Sequence, residues 1–331
     1  MKAEIPLSKT IRLLVNQTEH MLDTEISLLR NPEADPHGTL VDVYTYNVEK
    51  NSILFPAHYL GLLKDFIIAR QCVHLLIKGA AAKKSRYLVC SFTGDSVYRG
   101  IHQIYIDALK DEAKKEKKLP VDKLIKMLNI LYTRFNDDIN ELPWNPITNA
   151  RVYHQIPAIR KTQLYYLMKE GKTDMDDMME SEDIIPRRYF VLNKSMFYAR
   201  DQYLAKTLPA DELMPVVNIP QMKKFNHLEV KEMLTTRWTH TSWYQSKFFG
   251  DAMLEIMEKY LQNTDWNAPP SLDYFHDLYQ AGVQMTNHFL SYMSMKDWFI
   301  WESPQHLLAA RMRKTEYEQE ALKKLFGDLI G

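Results

Sequence analysis

Phe66-Ile67-Ile68-Ala69-Arg70-Gln71-Cys72-Val73-His74-Leu75-Leu76 lies within a longer stretch, Ala57 to Lys78, whose apolar residues fall on almost every side of a helical wheel. A helix without a broad polar face belongs in the interior, packed on several sides. Upstream, Ser8 is placed to cap a helix expected to run to about Arg30, with Ile11, Leu14, Leu22, Ile26 and Leu29 near helical spacing. A loop from Asn31 to Thr39, holding Pro32, Pro36 and Gly38, then leads to the β-branched and aromatic run Val41 to Tyr46. Ser52 to Phe55 is expected to return across a turn at Glu49-Lys50-Asn51 as a hairpin, and Tyr87 to Phe92 to join it as a third strand. The first 95 residues therefore read as an α+β unit in which a small sheet packs on a buried helix.

Residues 96–331 read as a helical unit, either separate or continuous with the first. Helices are expected over about Ser96 to Lys117, Val121 to Ile139, Pro157 to Glu170, Arg187 to Lys206, Leu228 to Trp238, Tyr244 to Leu261, Leu272 to Trp298 and Gln305 to Phe326. Prolines fall between them, among them Pro143, Pro146, Pro186 and Pro304, as they do where helices start or break. Leu208 to Asn226 and Asn263 to Pro270 read as loops. The fold class expected is mainly α: a large helical array with a small N-terminal β-hairpin or three-stranded sheet packed on a buried helix.

Only ten of 331 residues are glycine, and they are scattered. No G-x-G-x-x-G occurs, and Gly171-Lys172-Thr173 has Tyr166 where a P-loop needs its first glycine. Nucleotide cradles of those kinds are thereby excluded. Forty-two basic and forty-two acidic residues cancel, so no whole-molecule field draws the chain to nucleic acid or an anionic membrane. Cys72 and Cys90 each adjoin a valine and read as buried thiols of a reducing compartment. There is no signal-peptide pattern and no run of 18 apolar residues, so a cytoplasmic protein without membrane insertion is expected.

Chemistry can be argued at one place. The segment around His74 is framed like a zincin helix, in which H-E-x-x-H puts two imidazoles on one face with a glutamate beside the metal-bound water. Arg70 stands at the first histidine position and Gln71 at the glutamate position. A guanidinium cannot ligate zinc, and an amide cannot take a proton from water. The order helix, hairpin, buried helix resembles small gluzincin-type domains over about the first 90 residues. That resemblance implies a zincin-derived scaffold that is catalytically dead. Read without it, Arg70 and His74 are one turn apart on an oily helix, and a buried guanidinium must find a carboxylate.

Elsewhere no H-x-H, H-x-x-x-H or E-x-x-H occurs. The remaining candidate metal ligands beside His74 are Asp273, His276 and His288, on one expected helix, and the acidic run Asp174 to Asp183 reads as solvated. No nucleophile motif is present, and Cys72 and His74 point about 200° apart on a helix. Lys83 to Arg86 and Lys114 to Lys118 read as solvated surface. Aromatic and Met residues crowd Tyr292 to Trp301 and Trp238 to Phe249, as helix-packing groups or as contact surface. The function expected is that of a non-enzymatic interaction or assembly protein, with a protein partner or a homo-oligomer and no cofactor. The alternative is a metal-dependent hydrolase with ligands from separated segments, or the dead zincin-like scaffold.

Overall fold

The computed structural model describes residues 5–84, 87–112, 120–167, 169–170, 185–208 and 244–327. Helix α1 spans Lys9–Leu22, capped by Ser8, whose hydroxyl accepts the Ile11 N–H at 3.4 Å. It buries Ile11, Leu14, Val15 and Leu22 and stops eight residues before the expected end near Arg30. The stop is local. Asp23 adopts a left-handed φ of 52°, and Glu19 Oε1 accepts the N–H of Ile26 at 2.8 Å, turning the chain into a strand. The apolar residues Ile26 and Leu29 belong to that strand, β1 (Ile26–Asn31).

Strand β2 (Thr39–Val41) is shorter than the run Val41 to Tyr46 suggested. Asp42 accepts the Thr45 N–H at 2.7 Å and caps a one-turn helix, α2 (Val43–Tyr46), in place of the expected strand. Strand β3 (Asn51–Pro56) lies between the other two, parallel to β1 and antiparallel to β2. The three-stranded sheet therefore has the order β1-β3-β2. The expected third strand goes elsewhere: β4 (Val89–Ser91) pairs antiparallel with β5 (Ile300–Glu302), more than two hundred residues away.

Helix α3 (Gly61–Lys83) is the buried helix, with Phe66 to Ala69, Cys72, Val73 and Leu75 to Ile77 all closed off from solvent. Around it lie α4 (Gly94–Glu112), α5 (Val121–Glu141), α6 (Trp144–Gln155) and α7, comprising residues 160–167 and 169–170. They are followed by α8 (Arg187–Thr207), α9 (Tyr244–Leu261), α10 (Leu272–Tyr292), α11 (Pro304–Met312) and α12 (Lys314–Phe326). Helix α3 packs on α1, α6, α10 and β3.

Helix α6 was not expected, because Pro143 and Pro146 flank its start. Both sit at or before the first turn, where the backbone N–H groups have no intrahelical acceptor and a proline costs nothing. The expected helix Gln305 to Phe326 breaks at Arg313 into α11 and α12, and that from Leu272 ends at Tyr292, ahead of Ser294 at φ 58°. The expected helix Leu228 to Trp238, and the loop beyond Leu208, lie outside the described residues. One buried apolar cluster runs from Ile11 through α3 to Leu322. Cys72 and Cys90 are buried and unbridged, and burial pushes each thiol up to about 12. Among the described residues no helix is long and apolar enough to cross a membrane.

Candidate functional site

Arg70, His74 and Lys78 recur every four residues and form an ionisable stripe along α3. Each is met by a different element. The Arg70 Nη1 lies 3.1 Å from His37 Nδ1, in the loop before β2. Next to it, Gln71 Nε2 donates to the carbonyl oxygens of His37 and Gly38, both at 2.9 Å. Gly38 is required there: at φ 75° a side chain would be strained, and a Cβ would stand 2.5 Å from the Ile67 Cγ2. Lys78 Nζ pairs at 3.0 Å with Asp42 Oδ2, and Asp42 is fully buried. Burial alone would lower the Lys78 pKa, but Tyr87 and Asp42 more than offset it and hold the ammonium above its usual value.

His74 stands between these two cations. Burial, then Lys78 and Arg70, hold its imidazole well below the usual histidine range, so the ring is neutral at pH 7. It stacks on Trp144 with centroids 6.2 Å apart, and Trp144 in turn stacks on Tyr279 at 5.9 Å. Gly282 makes room for the indole: a Cβ there would fall 2.4 Å from Trp144 Cζ3.

A cleft opens along this stripe. One cavity of about 300 Å³ lies between Asp35 to Leu40 and the helices α3, α5 and α6. A second, of about 250 Å³, lies toward Tyr87, Tyr279 and Trp301. His74, Lys78, Asn140, Glu141 and Trp144 line both.

Beneath the first cavity is a buried ionic cluster. Glu170 Oε1, on α7, is 3.5 Å from His37 Nδ1, 3.8 Å from Arg200 Nη1 and 3.2 Å from the donating Asn145 Nδ2. Arg200 also pairs with Asp201 at 3.0 Å, and the Tyr166 hydroxyl lies 2.5 Å from His37 Nδ1. Burial would raise the Glu170 pKa, but His37, Arg200 and Arg70 together hold it below the ordinary glutamate value. Burial, followed by Glu170, pushes the Tyr166 phenol far up, so it remains protonated. The carboxylate that the sequence demanded for Arg70 is not within ion-pair distance among the described residues: Arg70 meets His37 instead, with Glu170 behind that histidine, and both Glu170 and Glu141 feel the guanidinium only at longer range.

His37, Tyr166 and Glu170 were not legible as site residues, since 129 residues separate His37 from Tyr166. The one available signal was the histidine in Pro36-His37-Gly38, a loop that has to turn tightly. Of the four candidate metal ligands, only His74 lies in the cleft. Asp273 is exposed and pairs with Lys84 at 2.6 Å. His276 is buried against Tyr279, and His288 Nδ1 lies 3.3 Å from the Tyr260 hydroxyl. Among the described residues, no three His, Cys, Asp or Glu side chains gather in a way that would hold a metal ion. The acidic run Asp174 to Asp183 and the basic run Lys114 to Lys118 lie outside the described residues. The aromatic crowd is divided: Met293, Met295, Trp298 and Phe299 are core, Trp301 lines the cleft, and Phe248 is 70% exposed. Comparison with protein-family models, with curated proteins and with solved structures finds no match.

Proposed function

We propose that this protein is a non-enzymatic helical interaction or assembly component, acting in the cytoplasm through contact with a protein partner or a second copy of itself. The observation that carries the proposal is the use made of Arg70 and Gln71. At the positions where a zincin helix would present a ligand and a base, these side chains fasten the His37-Gly38 loop instead. A guanidinium and an amide held in this way position a backbone and do no proton chemistry on water. The equal numbers of basic and acidic residues leave association to local surfaces rather than to a field that would favour nucleic acid. Exposed Leu60, Phe248 and Met312 supply apolar contact groups, and two unbridged buried thiols suit a reducing compartment.

The competing reading is a metal-dependent hydrolase with ligands from separated segments. A catalytically dead zincin-like scaffold is compatible with contact function and is favoured over the hydrolase by the arginine at the first ligand position. Elemental analysis of the purified chain combined with light scattering separates them. A metal-free protein forming a stable oligomer or a stoichiometric protein complex is expected, and stoichiometric zinc, iron or manganese would overturn the proposal.

A further inference from the structure

Arg70 is 92% withdrawn from solvent by its 8% exposure, yet it lines the 300 Å³ cavity. Its Nη1 meets His37 at 3.1 Å, while the Nε and Nη2 hydrogens meet no acceptor among the described residues and are not sealed in. A guanidinium presents five donors in a planar fork, and the fork is matched best by a carboxylate that takes two of them at once. A buried arginine with donors left over inside a cavity is therefore a carboxylate receptor in its geometry and charge.

The rest of the lining narrows the ligand. Lys78 is already paired with Asp42, and His74 is uncharged, so among the described residues Arg70 is the one arginine or lysine on this cavity without a carboxylate within ion-pair distance. One guanidinium suits a monoanion. The rim carries two carboxylates, Asp35 and Glu141, neither of them within ion-pair distance of a cation among the described residues. They would repel a multiply charged anion such as phosphate and would attract an ammonium group. A positive group deep and two negative groups at the mouth are complementary to a zwitterion entering carboxylate first.

Beyond His74 and Trp144 the cleft continues into the second cavity, whose walls include Tyr87, Tyr279 and Trp301. The polar tips of these rings are already used. Tyr87 bonds the Thr45 hydroxyl at 2.9 Å, Tyr279 bonds the Leu88 backbone, and Trp301 donates to Asn287 at 2.8 Å. The faces of these rings remain for a ligand there, beside the polar groups of Asp137, Asn140 and Arg311 on the same wall, and they suit an apolar or aromatic side chain.

We infer that the cleft binds a free α-amino acid with a large apolar or aromatic side chain: carboxylate on Arg70, ammonium between Asp35 and Glu141, side chain past Trp144 into the second cavity. The inference adds a small-molecule ligand to the protein and does not depend on the contact function above.

The test is calorimetric titration of the full chain with the L-amino acids phenylalanine, tyrosine, tryptophan, leucine and methionine. Alongside them run the matched amines lacking the carboxylate and the matched acids lacking the ammonium. At least one amino acid is expected to bind, with its amine and its acid each weaker by about tenfold or more, because each loses one charge-assisted contact. Glu141→Gln, on the exposed rim, is expected to weaken binding severalfold while leaving the circular dichroism spectrum of the folded protein unchanged. Arg70→Lys keeps the charge but loses the fork, and where it folds it is expected to weaken the amino acid and not the amine. Failure of all five amino acids to bind the wild-type chain would overturn the inference. So would an amine that binds as tightly as its amino acid, or unchanged binding in both variants.

Discussion

Arg70 on α3 and His37 in the loop before β2 meet at 3.1 Å, and the same His37 nitrogen lies 3.5 Å from Glu170 on α7. One imidazole nitrogen thus stands between a guanidinium and a carboxylate from elements far apart in the chain. The N-terminal sheet is clamped to the helical array at this point, because Gln71 holds the same loop by two carbonyl oxygens.

Replacing Arg70 with Ala leaves Glu170 and Glu141 without one of the charges that stabilise them and removes the anchor of the His37 loop. Breaking a buried charge cluster from one side costs about 3 kcal/mol. A clear fall in melting temperature by circular dichroism is the expected outcome, and an unchanged melting temperature would refute the clamp.

Acid should weaken the fold through two groups. The His74 pKa is depressed below its ordinary 6.5, so the unfolded chain takes up a proton first and stability falls as pH drops below about 6.5. His74→Phe should flatten the dependence of melting temperature on pH just below about 6.5. Glu170 is also depressed, below its ordinary 4.5, so the stability it contributes is present above that value and is lost as pH falls through the folded pKa. Glu170→Gln should flatten the part of the dependence that lies below about 4.5.

Gly282→Ala puts a methyl carbon 2.4 Å from a Trp144 ring atom that is stacked on both His74 and Tyr279. Overpacking against a fixed ring costs about 1 to 3 kcal/mol. The substitution should lower the denaturation midpoint and shift the tryptophan fluorescence; a change in neither would mean that the indole has room to move.

Cys72 and Cys90 are buried with thiols pushed up to about 12, so little thiolate exists at neutral pH. A thiol reagent should label neither in the native protein and both in denaturant. Rapid native labelling of either one would contradict the packing around α3.

The mainly helical class, the buried helix and the small sheet beside it were legible in the residues. Helix α3 announces itself because its apolar residues leave no polar stripe broad enough for water. The errors fall where a single side chain redirects the backbone. Asp42 caps a turn within a run that alternates like a strand, and Glu19 catches the N–H of Ile26 and ends α1. Pro146 hid α6 because a proline in a first turn looks in sequence like a break.

The amino acid order by itself determined which stretches are apolar enough to bury and which charged groups are carried inside with them, since helix periodicity is a property of near neighbours. It also determined that the α3 stripe is Arg70, His74 and Lys78 rather than a ligand set. Only the tertiary structure decided their partners. Arg70 could have met any of several carboxylates, and it met His37 instead, with Glu170 behind that imidazole, because loop, sheet and α7 converge at one end of the buried helix. Convergence of that kind depends on packing between segments more than a hundred residues apart, and local spacing carries no record of it.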